Sequence, residues 1–255
     1  MSEPLVRTEQ RGEVHIVWLN EPERKNPLSD PMIERLSAAL RSPEARAAAA
    51  VVIRGAGRTF SAGGDLRQFH ASLTTDASEQ FEATTSFRRL FLDLDDLPGV
   101  TIAAVEGGAY GGGCGLAAAC DIVIAAGTAT FACPEIRLGA FPMVIAPALV
   151  RAIGARNTMA LAVSGEKVGA TRARELGLVA EVVDEPEFDS FLSAYVDRLA
   201  GVPAQVLHIG KMAVRAGGAD DYRVGLESGS ILRSLLFSSP AFHDGVNAFV
   251  QRARR

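Results

Sequence analysis

Two glycine-rich stretches and one glutamate stand out as residues able to do chemistry. The first stretch is Phe60-Ser61-Ala62-Gly63-Gly64-Asp65-Leu66, directly after the apolar run 51–53. The second is Gly107-Gly108-Ala109-Tyr110-Gly111-Gly112-Gly113-Cys114-Gly115, directly after 102–105. Both sit where a strand hands over to a helix, and there glycine lets a ligand approach bare backbone amides. The second also opens a helix, whose first N–H groups lack internal partners and carry partial positive charge. Such a place suits a developing oxyanion, and it also suits a phosphate cradle or tight packing. No glycine triple has the G-x-G-x-x-G spacing and no G-x-x-x-x-G-K-[ST] exists, so a nucleotide-binding fold fails on spacing.

Glu135 lies between Phe131-Ala132-Cys133-Pro134 and Ile136. As one of 30 acidic residues it reads by default as a solvated surface carboxylate. Its apolar surroundings argue for more, because they raise a carboxyl pKa toward neutrality and make a proton carrier. Other charged residues read as structural: Glu106 at a loop end, Asp121 tying down a turn, Asp65 capping a helix start. His70 reads as packing or surface. No H-x-x-x-H pair is present to ligate a metal, and none is expected. Ser61 and Cys114 adjoin the loops but have no G-x-S-x-G elbow and no recognisable base.

The elements that must hold these groups follow from periodicity. Val14, Ile16 and Trp18 interleave with His15, Val17 and Leu19, a strand buried on nearly both faces. Ser29 or Asp30 before Pro31 starts a helix, with Met32, Ile33, Leu36 and Leu40 along one side. Further strands are expected at 51–53, 102–105, 122–125 and 130–132. A long helix is expected near 78–97, stopped by Pro98-Gly99, and another through 116–119. Strand signals thin out after Val144. Phe188, Phe191, Leu192, Tyr195 and Leu199 mark one face of a helix, and helical patterning continues through 202–217, 222–237 and 241–252. Strands alternating with crossovers long enough for parallel pairing make an α/β core with a helical C-terminal layer. The chain is expected to divide into a core over 1–190 and a helical region over 191–255 that does not fold independently.

Across 255 residues, 48% hydrophobic and 22% charged, the chain can bury a sizeable core. A formal charge of −4 argues against a nucleic-acid partner. Cys114, Cys120 and Cys133 form no CxxC pair, which suits reduced core thiols. The polar first twelve residues carry no leader character, and no apolar run reaches spanning length, so a cytoplasmic protein with no membrane partner is expected.

Three ordered motifs, FSAGGDL, AVEGGAYGGGCGLAAACDIVIA and FACPEIRLGAFP, closely resemble the crotonase (enoyl-CoA hydratase/isomerase) family over about 14–252. The resemblance implies a spiral of ββα units with a C-terminal helical trimerisation region, assembled as a trimer or a dimer of trimers. It implies an acyl-CoA thioester substrate, with CoA part of the substrate and no separate cofactor. The Ala62 and Gly112 N–H groups would form the oxyanion hole for a thioester enolate, and Glu135 would move protons. Arg24, Lys25, Pro27 and Leu28 match the segment along the CoA nucleotide. Ala62, Gly63, Gly64, Asp65, Leu66 and Gly112 would line the thioester, and Phe249 and Arg252 match a pair reaching the nucleotide from the C-terminus.

One position departs from the family's two-glutamate hydratases. The first glutamate stands three residues after the oxyanion glycine, and this chain has Gly115 there. A single glutamate suits the Δ3,Δ2-enoyl-CoA isomerases and also occurs in branched-chain hydratases of the methylglutaconyl-CoA type, which the segment 137–154 resembles. Hydratase is the favoured expectation and isomerase the runner-up. A non-catalytic acyl-CoA-binding relative is the third reading.

Overall fold

The structure, a computed structural model, describes residues 3–65, 67–68 and 76–218. Its first elements are β1 (Val6–Arg11), β2 (Val14–Leu19), β3 (Pro27–Leu28), α1 (Asp30–Leu40), α2 (Pro43–Ala47), β4 (Ala50–Gly55), β5 (Thr59–Ser61) and β6 (Gly63–Gly64). Then come α3 (Ala77–Ala83), α4 (Thr85–Asp95), β7 (Val100–Val105), β8 (Gly108–Tyr110), α5 (Gly112–Ala119), β9 (Ile122–Ala126) and β10 (Thr130–Ala132). The rest holds α6 (Ala146–Ser164, kinked at Gly154), β11 (Val168–Gly169), α7 (Ala170–Glu175), β12 (Glu181–Val183), α8 (Phe188–Ala200) and α9 (Ala204–Gly217).

β4 shows why the large sheet forms. Val51 and Ile53 point to one face and Ala50 and Val52 to the other, as the two-residue period of a strand requires. All four are buried. A strand apolar on both faces needs cover on both, which a parallel sheet with helices on each side supplies. The sheet order is β1-β2-β4-β7-β9-β12, parallel throughout except for the β1–β2 hairpin at the edge. One face packs Val51, Ile53, Ala103 and Val105 against Leu36, Leu40, Leu90 and Leu116. The other packs Val52, Ile102 and Ile124 against Phe188, Leu192 and Val196 of α8.

A second sheet runs β11-β10-β8-β5. Its β5, β8 and β10 follow directly after β4, β7 and β9 of the large sheet, in the same spatial order. Each turn of chain therefore lays one strand on each wall before its helix, which is the expected spiral of ββα units. A third pair, β3 with β6, joins the segment after β2 to the first glycine loop.

Two local readings are corrected. The long helix expected near 78–97 is two helices, broken at Thr84, whose hydroxyl donates to the Phe81 carbonyl at 2.7 Å. A hydroxyl that bonds the chain's own carbonyl competes with the helical ladder. Asp76 and Glu79 begin the first of the two with a reciprocal capping box. The thinning strand signal after Val144 hid β12, only three residues long and set by its pairing with β9. The helical patterns at 222–237 and 241–252 lie outside the described residues.

Candidate active site

The two glycine loops meet face to face. A Cβ built on Gly63 would stand 3.1 Å from the Gly112 nitrogen, and one built on Gly112 would stand 3.7 Å from the Gly64 nitrogen. Gly63 adopts φ +88°, a left-handed value that side chains rarely take, and the Tyr110 carbonyl would lie 2.4 Å from any Cβ there. Only glycine lets the loops approach so closely.

On the first loop the amides are spoken for unequally. Ala62 N–H donates to the Lys25 carbonyl at 2.8 Å, so it is not free for a thioester oxygen. This departs from the role expected of Ala62. β6 pairs Gly63 with Pro27 and Gly64 with Leu28. Proline has no N–H, so the first of these pairings runs through the polar groups of Gly63. The next residue, Gly64, then turns its N–H to the opposite edge, the side on which Gly112 lies. Gly64, not Ala62, is the amide of this loop that the ladder leaves open.

On the second loop, Gly111 at φ +51° turns the chain from β8 into α5, and Gly112 is the first helical residue. The N–H of a first helical residue has no carbonyl to reach inside its own helix. Phe87 Cζ and Leu28 Cδ1 would lie 3.0 and 3.3 Å from a Cβ on Gly112, so an aromatic tip and an aliphatic one flank the open amide. Phe87 is half-buried and stacks edge to face on Phe91, 5.1 Å between centroids. Neither phenylalanine was singled out from the sequence; the i, i+4 spacing in α4 is the one signal that could have paired them. Leu90, on the same helix, is core.

Glu135 sits on a 3₁₀ turn (Pro134–Leu138) that directly follows β10. Its Oε1 would be 3.0 Å from a Cβ on Gly111, so the carboxyl lies over the first turn of α5. Its Oε2 is buried and has no hydrogen-bond partner among the described residues. Burial raises the Glu135 carboxyl above the ordinary glutamate range, and a bond from its own backbone N–H offsets this only in part. A half-buried carboxyl with one oxygen unpaired among the described residues, lying over the residue before the open Gly112 amide, is equipped to take and return a proton.

Position 115 carries no such group. A Cβ on Gly115 would fall 2.3 Å from Ile145 Cγ2 and 2.4 Å from Ile145 Cβ, so isoleucine fills that space. The neighbouring thiols are inert: Cys114, Cys120 and Cys133 are fully or nearly fully buried and unbridged. Their environment raises the Cys114 thiol, first through its hydrogen bond with Cys133 and then through burial.

The segment expected to meet the CoA nucleotide is built differently from its charge. Arg24 holds Glu21 at 2.9 Å and Asp65 at 2.7 Å, so its guanidinium is occupied by two carboxylates. Asp65 also accepts from the Arg67 N–H at 3.0 Å, the capping contact expected of it. The Arg24 hydrogen bond holds its carboxyl below the usual aspartate range. Lys25, at φ +62°, is exposed and lends its carbonyl to Ala62. Pro27 and Leu28 act through β3. Asn26, missed in the sequence, is the hub: fully buried at φ +52°, it donates to the Ala56 and Thr59 carbonyls and accepts from the Glu21 N–H. Glu106 pairs with Arg54, and Asp121 binds Thr101 and Lys211, both structural as expected. Leu66, His70, Phe249 and Arg252 lie outside the described residues.

The chain is similar in sequence and fold to known proteins. The family model described as "Enoyl-CoA hydratase/isomerase" matches residues 9–254. A Dictyostelium discoideum protein named "Probable enoyl-CoA hydratase, mitochondrial" is 33% identical over 96% of this chain and 87% of its own. The Escherichia coli "2,3-dehydroadipyl-CoA hydratase" is 31% identical over 99% of this chain and 97% of its own. The crystal structure of a Mycobacterium smegmatis enoyl-CoA hydratase superposes with a TM-score of 0.91 at 28% identity, covering 98% of this chain and 97% of that one. With the ββα spiral, the two facing glycine loops and the match along nearly its whole length, the chain belongs to the enoyl-CoA hydratase/isomerase family.

Proposed function

We propose that the protein is an enoyl-CoA hydratase in which a single carboxylate, Glu135, carries the proton in both directions. The observation that carries this reading is the half-buried Glu135 carboxyl, its Oε2 without a partner among the described residues, over the start of α5 where the Gly112 amide meets the loop of Gly64. The thioester carbonyl would accept from those two N–H groups. Each well-placed oxyanion donor is worth about 3–4 kcal/mol once charge develops on the oxygen.

The steps balance with one acid–base group. The Glu135 carboxylate takes a proton from water as the water oxygen bonds to the β-carbon of a 2-enoyl thioester. The double-bond electrons move into the thioester, and the enolate oxygen lies between the two amides. Glu135 then returns the proton to the α-carbon and is a carboxylate again. The names of the relatives, hydratases in each case reported above, support addition of water as the outcome.

One observation favours a second reading. Ile145 stands where a side chain at 115 would be, and a one-carboxylate site also suits an isomerase. Glu135 would take a proton from the α-carbon of a 3-enoyl thioester and return it to the γ-carbon. Crotonyl-CoA losing its conjugated thioester absorbance tests hydration; a 3-enoyl-CoA gaining that absorbance tests isomerisation. Absorbance unchanged with both thioesters would sink the enzyme reading in favour of a binding protein.

The CoA nucleotide would meet Lys25, whose ammonium is exposed, rather than Arg24. A homo-oligomer, trimer or dimer of trimers, is part of the same proposal. Leu138 at 64% and Met143 at 73% exposure leave large apolar side chains in water in the segment after Glu135, a surface that a second copy would cover.

A further inference from the structure

We infer that Ile145 is a specificity-determining residue, whose side chain takes the volume of a second acid–base group and keeps the site to one-carboxylate chemistry. The inference rests on the acyl-CoA reading of the site and goes beyond it, because it names what decides the number of proton carriers.

The geometry begins on α5. Gly111 and Gly115 are one turn apart, joined by the Gly115 N–H to Gly111 carbonyl bond of 3.0 Å, and so share a face of the helix. Glu135 lies over Gly111 and Ile145 lies over Gly115. The face therefore carries a carboxylate on its first turn and a branched hydrocarbon on its next. A glutamate at 115 would rise from that second turn, about 5.4 Å along the axis from the first.

Isoleucine cannot step aside. The contact is made by its Cβ at 2.4 Å as well as its Cγ2 at 2.3 Å, and a Cβ is fixed by the backbone, not by a rotamer. Ile145 is also the residue that precedes the first turn of α6 and is 2% exposed, packed in the same core as Cys114 and Leu116. Any side chain at 115 would have to push the start of α6 outward. Glycine at 115 and isoleucine at 145 are thus two halves of one feature, and a carboxylate cannot enter by changing the first alone.

The test uses four full-length proteins: wild type, Gly115→Glu, Ile145→Gly, and the double variant. Glycine is chosen at 145 because alanine would keep the clashing Cβ, and glycine is tolerated just before a helix. Thermal midpoints and the pH dependence of kcat/KM for crotonyl-CoA hydration and 3-enoyl-CoA isomerisation are measured. Gly115→Glu alone is expected to lower the midpoint by about 5 °C or more, as overpacking of 1–3 kcal/mol would. In the Ile145→Gly background the same change is expected to cost less than half of that. The double variant is expected to gain a second ionisation in its pH profile and to shift the ratio of hydration to isomerisation by about tenfold or more toward hydration, the lower end of what a placed acid–base group gives.

Melting that is additive between the two positions would overturn the steric claim. A folded double variant with one ionisation and an unchanged ratio would overturn the claim on specificity. An inactive wild type would overturn the hydratase reading and the role of Ile145 together, whereas an active wild type with either of the other results overturns this inference alone.

Discussion

The first glycine loop is pinned by polar cross-links and the second by packing. Around the first, Asn26 bonds three backbone groups, Ser61 Oγ donates to the Asn26 carbonyl at 2.7 Å, and Arg24 clamps Asp65. Around the second, Gly111 and each glycine of α5 face something already in place: Glu135 at Gly111, Phe87 and Leu28 at Gly112, Ser61 at Gly113, Ile145 at Gly115. Hydrogen bonds fix the direction of an amide, and close packing fixes its position. One loop should therefore fail when a partner is removed, the other when an atom is added.

The largest effect is expected from the group that does the chemistry over the second loop. Glu135→Gln should lower kcat by about 10³-fold, within the range for a general acid–base group, with the fold intact. The pH dependence gives the sign. Glu135 acts as a base, so hydration in wild type should rise with pH through an ionisation above the ordinary glutamate range. For stability, a carboxyl whose folded pKa is raised contributes most at pH below its unfolded value, and that contribution is lost as pH rises through the folded pKa. The glutamine variant lacks this loss, so at neutral pH its melting temperature should equal or exceed that of wild type. A variant that is both inactive and clearly less stable would recast Glu135 as structural.

Next comes the amide of Gly112, which a substitution can remove because of where it lies. Proline is tolerated at the first helical position and has no N–H. Gly112→Pro and Gly112→Ala both add a Cβ beside Phe87 Cζ, the far end of a side chain, but only the first deletes the donor. The proline variant should have a kcat about 10²-fold below the alanine variant, the cost of one oxyanion donor. Equal rates would remove Gly112 from the oxyanion site.

For the first loop the expected loss is in stability. Asn26→Ala leaves the Glu21 N–H and the Ala56 and Thr59 carbonyls without their partner, at a site that is fully buried. A cost of about 3 kcal/mol is expected, seen as a lower urea midpoint at constant m-value. If activity instead fell with the midpoint unmoved, Asn26 would belong to the substrate rather than to the loop.

What was legible in the sequence divides along the same line. The sheet strands were readable because Val51, Ile53 and their neighbours repeat at a period the pleat imposes. The glycine loops were readable because special backbone needs glycine. Which amide the first loop leaves open was not, since it depends on the register of β6 against β3 and on Pro27 lacking an N–H. The helical reading began only at Leu116 because glycines carry no apolar period, although α5 starts at Gly112. The fate of position 115 was hidden as well: the absence of a glutamate is visible in sequence, but its replacement by Ile145 is a contact across thirty positions that only the fold creates.

Arg24 offers the smallest effect and the finest discrimination. Its two carboxylate partners, with the Arg24 side chain 30% exposed, make a partly screened ion-pair cluster worth about 1 kcal/mol. Asp65 titrates below the usual aspartate range because of Arg24, so its contribution is present above the unfolded pKa and is lost as pH falls through the folded one. Arg24→Ala should thus destabilise the protein at neutral pH, with the difference from wild type closing in acid. Kinetically, a guanidinium occupied by Glu21 and Asp65 has little left for a phosphate. Arg24→Ala should change KM equally for a CoA thioester and for the pantetheine thioester that lacks the nucleotide. Lys25→Ala should raise KM for the CoA thioester alone. The opposite pattern, with Arg24 selective for the nucleotide, would mean that Asp65 releases Arg24 when substrate binds, and that the first loop is a switch instead of a fixed frame.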